Sequence, residues 1–160
     1  NERECGRYVK SRRTQYGGLA VNMEMSVNSP DTIELSLPYK AEYVSVARLT
    51  TSGIASRAGF DIETVEDIKV AVSEVCNRII SISAGLDGHY RIIFELHKNE
   101  FVIKFTSDNK KIKCIFDDDE NGLGISIIKA FMDNVEFCPH TSGYTLTMSK
   151  IVEVVSDNGL

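Results

Sequence analysis

The sequence predicts a two-layer α+β sandwich in which helices lie on one face of a mostly antiparallel sheet. Three observations carry that expectation. Residues Asp61 to Ser83 place Ile68, Val72, Val75, Ile79 and Ile82 at spacings of three and four, the signature of a long helix with one apolar face. Two pairs of apolar runs, HYRIIFELH with EFVIKFTS and VEFCPH with GYTLTMSKIVEVV, read as antiparallel hairpins. The resulting order of strand, helix, helix, strand, strand, helix, strand, strand gathers the helices against one side of the sheet.

Taken in order, residues 1–30 form a basic arm. Arg3, Arg7, Lys10, Arg12 and Arg13 show little periodicity before Gly17-Gly18, so the expectation is a loosely held, flexible segment with one short helix or strand at most. The chain begins at Asn1 rather than at a methionine, which suggests that the translated product extends further. The globular domain is placed at 31–155.

It opens with TIELSLPY, whose Ile33, Leu35 and Leu37 alternate inward until Pro38 stops the strand. AEYVSVARLTTSGIASRAG then sets Val44, Ala47, Thr51, Ile54 and Ala58 on one helical face, with Gly59 as the stop. Asp61 caps the next helix, and Phe60 can pack on Val65 ahead of it. Gly85 and Gly88 end that helix. The first hairpin turns inward Tyr90, Ile92, Phe94 and Leu96 on one strand, and Phe101, Ile103 and Phe105 on the other. Residues 107–121 read as a polar loop apart from Cys114 to Phe116. NGLGISIIKAFMD restarts a helix, and the last hairpin turns near Thr141 to Gly143.

Composition bounds the function. A chain of 160 residues with 42% hydrophobic content suits one domain with a full core. The net charge of −5 disfavours direct nucleic-acid binding. Cys5, Cys76, Cys114 and Cys138 are far apart, and His89, His97 and His140 are scattered, so no metal site of histidine and cysteine is expected. Free thiols and the lack of a membrane-length apolar run or signal peptide point to a soluble cytoplasmic protein.

The residues nearest to chemistry lie on the long helix. Asp67, Glu74 and Arg78 share a face at offsets of seven and four. One reading is a solvated face with a Glu74 to Arg78 ion pair, worth about 0.3–0.5 kcal/mol. The other is a pocket in which Glu74 serves as acid, base or water-positioner.

Three stretches occur in a telling order: SEVCN on this helix, SDN after the second strand of the first hairpin, and NGLGISIIKAFMD opening the third helix. With LPYKAEYVSVARLTTSGIASRAGF they resemble, over residues 32 to 152, the bacterial switch-type anti-sigma factors that are also serine-protein kinases. Those belong to the GHKL ATPase superfamily, with the Bergerat or histidine-kinase-type ATPase fold. The resemblance implies an ATP and magnesium site between helices and sheet. It implies as partners a sigma factor and an anti-anti-sigma antagonist phosphorylated on serine, and a homodimer, for which the first helix from Val44 to Ile54 could supply the surface.

Carried over residue by residue, Glu74 matches the catalytic glutamate of the family's Glu-x-x-x-Asn motif. Its asparagine, which holds magnesium, meets Arg78 here; Asn77 stands one residue early, rotated about 100° round the helix. Arginine offers only donors and a fixed positive charge, so it cannot ligate a metal but could grip phosphate. Asp108 matches the adenine-binding aspartate of Asp-x-Gly, whereas Lys110 replaces the glycine. Asn121, Gly122 and Gly124 resemble the phosphate-binding turn. The loop before them is short, and Asp117 to Glu120 make it acidic.

These departures give three readings. The first is an anti-sigma-like regulator with ATP binding reduced or lost. The second is an active serine-protein kinase using Mg-ATP to phosphorylate the antagonist. The third is an adaptor for nucleic acid or protein, acting through the basic arm.

Overall fold

The computed structural model describes residues 6–10, 29–109, 115, 122–137 and 145–153. The strands are β1 (Arg7–Val9), β2 (Asp31–Pro38), β3 (His89–Leu96), β4 (Glu100–Ser107), β5 (Asn134–Phe137) and β6 (Leu146–Ile151). The helices are α1 (Val44–Arg57), α2 (Ile62–Ile82) and α3 (Leu123–Phe131), with a single 3₁₀ turn at Ala41–Tyr43 ahead of α1. One six-stranded sheet runs in the order β1-β5-β6-β4-β3-β2, and each of its pairings is antiparallel. This is the α+β architecture expected from the sequence.

Alternation decides which face of the sheet is covered. Tyr90, Ile92 and Phe94 on β3 face Phe101, Ile103 and Phe105 on β4, and all of them are fully buried. Their neighbours Arg91, Ile93, Lys104 and Thr106 lie on the open face and retain solvent contact. Phe94 and Phe101 stack with ring centroids 6.1 Å apart, and Phe60, at the turn into α2, lies 6.3 Å from Phe101. The α1–α2 turn is thereby pinned to the centre of the sheet.

α2 starts where its cap predicts. The Asp61 carboxylate accepts from the Thr64 N–H at 2.7 Å, and that backbone hydrogen bond holds its carboxyl below the usual range. Ile68, Val72, Val75 and Ile79 are buried as the stripe requires, and Ile82 is partly buried at the frayed end. α1 buries Ala47, Thr51, Ile54 and Ala55, with the Thr51 hydroxyl donating to the Ala47 carbonyl at 2.7 Å. Gly59 adopts φ +93°, the left-handed conformation that ends a helix at low cost for glycine. α3 packs on α2.

One detail differs from the sequence expectation. Ile33 does not face a core: β2 is the outermost strand, and Ile33 is 42% exposed, with only Leu37 of the three alternating residues fully enclosed. At the opposite edge, β1 from the basic arm pairs with β5, setting Arg7 opposite Glu136 and Val9 opposite Asn134. The turn near Thr141 to Gly143, Cys5, Cys114, Cys138 and His140 lie outside the described residues. Cys76 is a free, buried thiol.

Candidate functional site

The polar line on α2 is partly buried at Asp67, Glu74 and Arg78, while Asn77 points outward and is exposed. The expected Glu74 to Arg78 ion pair does not form. Arg78 instead donates its Nε to the main-chain carbonyl of Ile115, and Ile115 is fully buried. Among the described residues Glu74 has no hydrogen-bond or ion-pair partner. A half-buried carboxylate without an internal donor is either water-facing or available to a ligand.

Behind this line, α1 and α2 are clamped by Arg48, whose Nη1 donates to Ser73 Oγ at 2.7 Å; Ser73 in turn donates to the Lys69 carbonyl at 2.7 Å. The residue preceding Glu74 is thus fixed by the neighbouring helix. Cys76, two residues after Glu74, faces the sheet, and burial pushes its thiol up to about 12. The Tyr90 hydroxyl lies against that thiol, and burial raises its pKa as well, followed by the Cys76 contribution. Tyr90 Oη and Ser83 Oγ are buried without a partner of ordinary hydrogen-bond geometry among the described residues.

Asp108 ends β4. One carboxylate oxygen accepts from the His89 N–H at 3.2 Å and the other lies 3.9 Å from Arg91 Nη2, with the side chain half exposed. Its neighbours are tightly arranged. The Tyr39 hydroxyl is 2.7 Å from Ser107 Oγ and accepts from the Asn109 N–H at 3.1 Å, while its ring stacks on Tyr90 at 6.2 Å. Gly88, at φ +132°, passes so close that a Cβ there would meet the Tyr39 ring at 3.2 Å. Asp108 therefore has a local role, joining the start of β3 to the end of β4, alongside the adenine contact that the resemblance implies.

Gly122 takes φ +57° immediately before α3, and its carbonyl accepts from the Ser126 N–H at 2.8 Å. A helix N-terminus presents the main-chain N–H groups of its first turn, the local geometry an anion needs. Gly124 lies within α3 and is partly buried. Asn121, Lys110 and the acidic run Asp117 to Glu120 lie outside the described residues. The structure thus seats Glu74 and Arg78 on α2, tied by Arg78 to the β4–α3 connection, and sets Asp108 at the start of that connection and Gly122 at its end.

The fit to magnesium can be judged from donor chemistry. The position that would hold the ion is a guanidinium already committed to a carbonyl, and a cation does not ligate a cation. Asn77, the neighbouring asparagine on α2, is exposed. The residues present do not fit magnesium at this position, whereas Gly122 and the amides behind it suit an anion.

Sequence reasoning missed two participants. The Ile115 carbonyl carries no side-chain signal, and in the sequence Tyr39 stands only as the end of a strand. A tyrosine after Pro38, at the rim of the helical layer, was the available hint.

Comparison with known proteins bears on this geometry. Residues 37–150 match a model of the histidine kinase-like ATPase domain. The chain is 35% identical over 144 residues to the "Serine-protein kinase RsbW" of Halalkalibacterium halodurans, covering 81% of this chain and 88% of the relative. It is 35% identical over 139 residues to the protein of the same name from Bacillus thuringiensis, covering 77% and 86%. The Bacillus anthracis protein of that name is 34% identical over 139 residues, with the same coverage of 77% and 86%.

Proposed function

The chain belongs to the histidine kinase-like ATPase domain family, and on that premise we propose that it is an anti-sigma-type regulator whose magnesium-dependent nucleotide chemistry is reduced or lost. It acts by binding a sigma factor or the protein that antagonises it. The observation that carries this reading is the Arg78 to Ile115 hydrogen bond. A side chain in the place of a metal ligand has become an internal tether between α2 and the segment entering α3. That arrangement maintains shape rather than chemistry, which is what partner binding requires.

A second reading, an active serine-protein kinase, is favoured by one observation. Glu74 is half-buried and unpaired among the described residues, as a group that polarises a hydroxyl must be before its substrate arrives. In that case Glu74 would draw the proton from the attacking serine hydroxyl of the antagonist, Asp108 and Gly122 would hold the nucleotide, and bound ATP would supply the phosphoryl group.

Calorimetric titration with ATP and ADP, with and without magnesium, separates the two. The regulator reading expects weak or metal-independent heats and a stable complex with a sigma factor or antagonist in a pull-down. Tight magnesium-dependent binding, with phosphate appearing on the antagonist and vanishing in Glu74→Ala at unchanged nucleotide affinity, would establish the kinase. Loss of partner binding on removal of residues 1–30 alone would favour the adaptor.

A further inference from the structure

The outer edge of β5 is occupied by a strand from outside the segment that matches the family, which ends at residues 37 and 150 while β1 lies at Arg7–Val9. Without β1, β5 would be the sheet's edge, a row of main-chain donors and acceptors open to another chain. We propose that this edge is a strand-docking site for an extended segment of a partner protein, one with a cation opposite Glu136 and an aromatic ring beneath Lys129, and that β1 is the resident strand it displaces.

The register defines what fits. The Phe137 N–H donates to the Gly6 carbonyl at 3.1 Å and the Lys10 N–H to the Asp133 carbonyl at 2.8 Å. Tyr8, opposite Val135 between these pairs, belongs to the same hydrogen-bonded set. Arg7 Nη2 meets Glu136 Oε1 at 3.0 Å. Lys129 Nζ stands 5.4 Å over the Tyr8 ring and 5.6 Å over that of Phe137, so the aromatic position is shared between strand and sheet. Pairing of β5 with β5 of another copy is disfavoured by its acidic Glu136, which a basic strand neutralises.

The resident strand is weakly held. It spans three residues, Val9 is 59% exposed, and the Arg7 to Glu136 pair has side chains 70% and 39% exposed. Such a pair adds little stability, and short edge strands open first. β1 also forms one wall of a cavity of about 300 Å³ on the open face, lined by Arg7, Val9, Glu100, Val102, Asn134 and Ser149 among others. Within it, Asn134 Nδ2 donates to Ser149 Oγ at 3.1 Å, which donates to Glu100 Oε1 at 2.5 Å. A longer incoming strand could place side chains there once β1 leaves. Main-chain pairing would supply affinity, and the two side-chain pockets would supply choice.

The test uses full-length protein and a fluorescent peptide spanning residues 1–13 as the probe, followed by anisotropy. Tyr8→Pro removes a β1 donor and should vacate the edge. The peptide is expected to bind this variant at least tenfold more tightly than wild type. Adding Glu136→Lys should weaken binding about threefold, the scale of an exposed ion pair turned to repulsion, and a peptide with Arg7→Glu should recover that loss. Equal affinity for wild type and Tyr8→Pro, or indifference to the charge reversal, would overturn the proposal. If Tyr8→Pro does not fold, Arg7→Glu in the full chain serves instead, read by amide exchange at Val135 and Phe137. Exchange at least tenfold faster supports a displaceable strand, and unchanged exchange refutes it. Concentration-dependent dimers of the wild type that Tyr8→Pro abolishes would mean that copies exchange β1, and would remove the foreign partner.

Discussion

Arg78 on α2 and Ile115, 37 residues further along the chain, are joined by a hydrogen bond from the guanidinium Nε to a main-chain carbonyl. Because Ile115 is fully buried, that carbonyl has no solvent to turn to if the donor is withdrawn.

Arg78→Ala should therefore destabilise the fold by about 1–3 kcal/mol, the cost of an acceptor left buried and unpaired. Lysine, which can donate from a single point, should recover part of the loss. Urea denaturation measures both, and a cost below about 0.5 kcal/mol would mean that the bond contributes nothing to the native state.

Arg78→Asn restores the Glu-x-x-x-Asn spacing. It removes a positive charge and supplies an amide oxygen that a divalent cation can use. ATP titrations of this variant should show a larger magnesium-dependent heat than wild type; identical heats with and without the metal would show that Arg78 is not what limits the site.

Phe101→Ala should cost about 3–5 kcal/mol, since a fully buried ring in contact with Phe94 and Phe60 is deleted from the point where the helix turn meets the sheet. The denaturant midpoint should fall with little change in its slope.

Glu95 makes stability pH-dependent. Burial acts to raise its carboxyl, but hydrogen bonds from Lys104, at 2.6 Å, and His97, at 3.1 Å, outweigh that and hold it below its ordinary 4.5. A carboxyl lowered in the folded state contributes above the unfolded value, and the contribution is lost as pH falls through the folded one. Glu95→Gln should accordingly flatten the fall in stability as pH drops below the ordinary glutamate value. A mutant slope equal to that of wild type would place the acid sensitivity elsewhere.

Cys76 should resist alkylation in the native protein. With its thiol pushed up to about 12, the thiolate fraction at pH 8 is about a thousandfold below that of an ordinary cysteine. Iodoacetamide labelling followed by mass spectrometry should find Cys76 modified only after denaturation.

The central strands and α2 were legible in the sequence because their constraint is periodic. Tyr90 to Phe94, Phe101 to Phe105 and Ile68 to Ile79 each alternate or recur in a way that only one buried face explains. Ile33 is exposed although it alternates in step with Leu37, because alternation marks which side a residue takes and not whether anything packs there. β1 had too few residues for a period to emerge, and its pairing with β5 depends on contacts across the whole chain. At the candidate site, Glu74 was singled out by its spacing on the helix and Gly122 by the family resemblance. The Arg78 tether was not, since its acceptor is main chain and any residue type could stand at position 115.

The arm contact between Arg7 and Glu136 links residues 129 apart. A ribosome adding about 5–20 residues per second would have the first strand waiting roughly 6–26 seconds before its mate is even synthesised. During that interval the nascent basic segment is available to whatever lies near the exit tunnel, and the sheet can gain this edge only after α1, α2, β3, β4 and α3 have been translated.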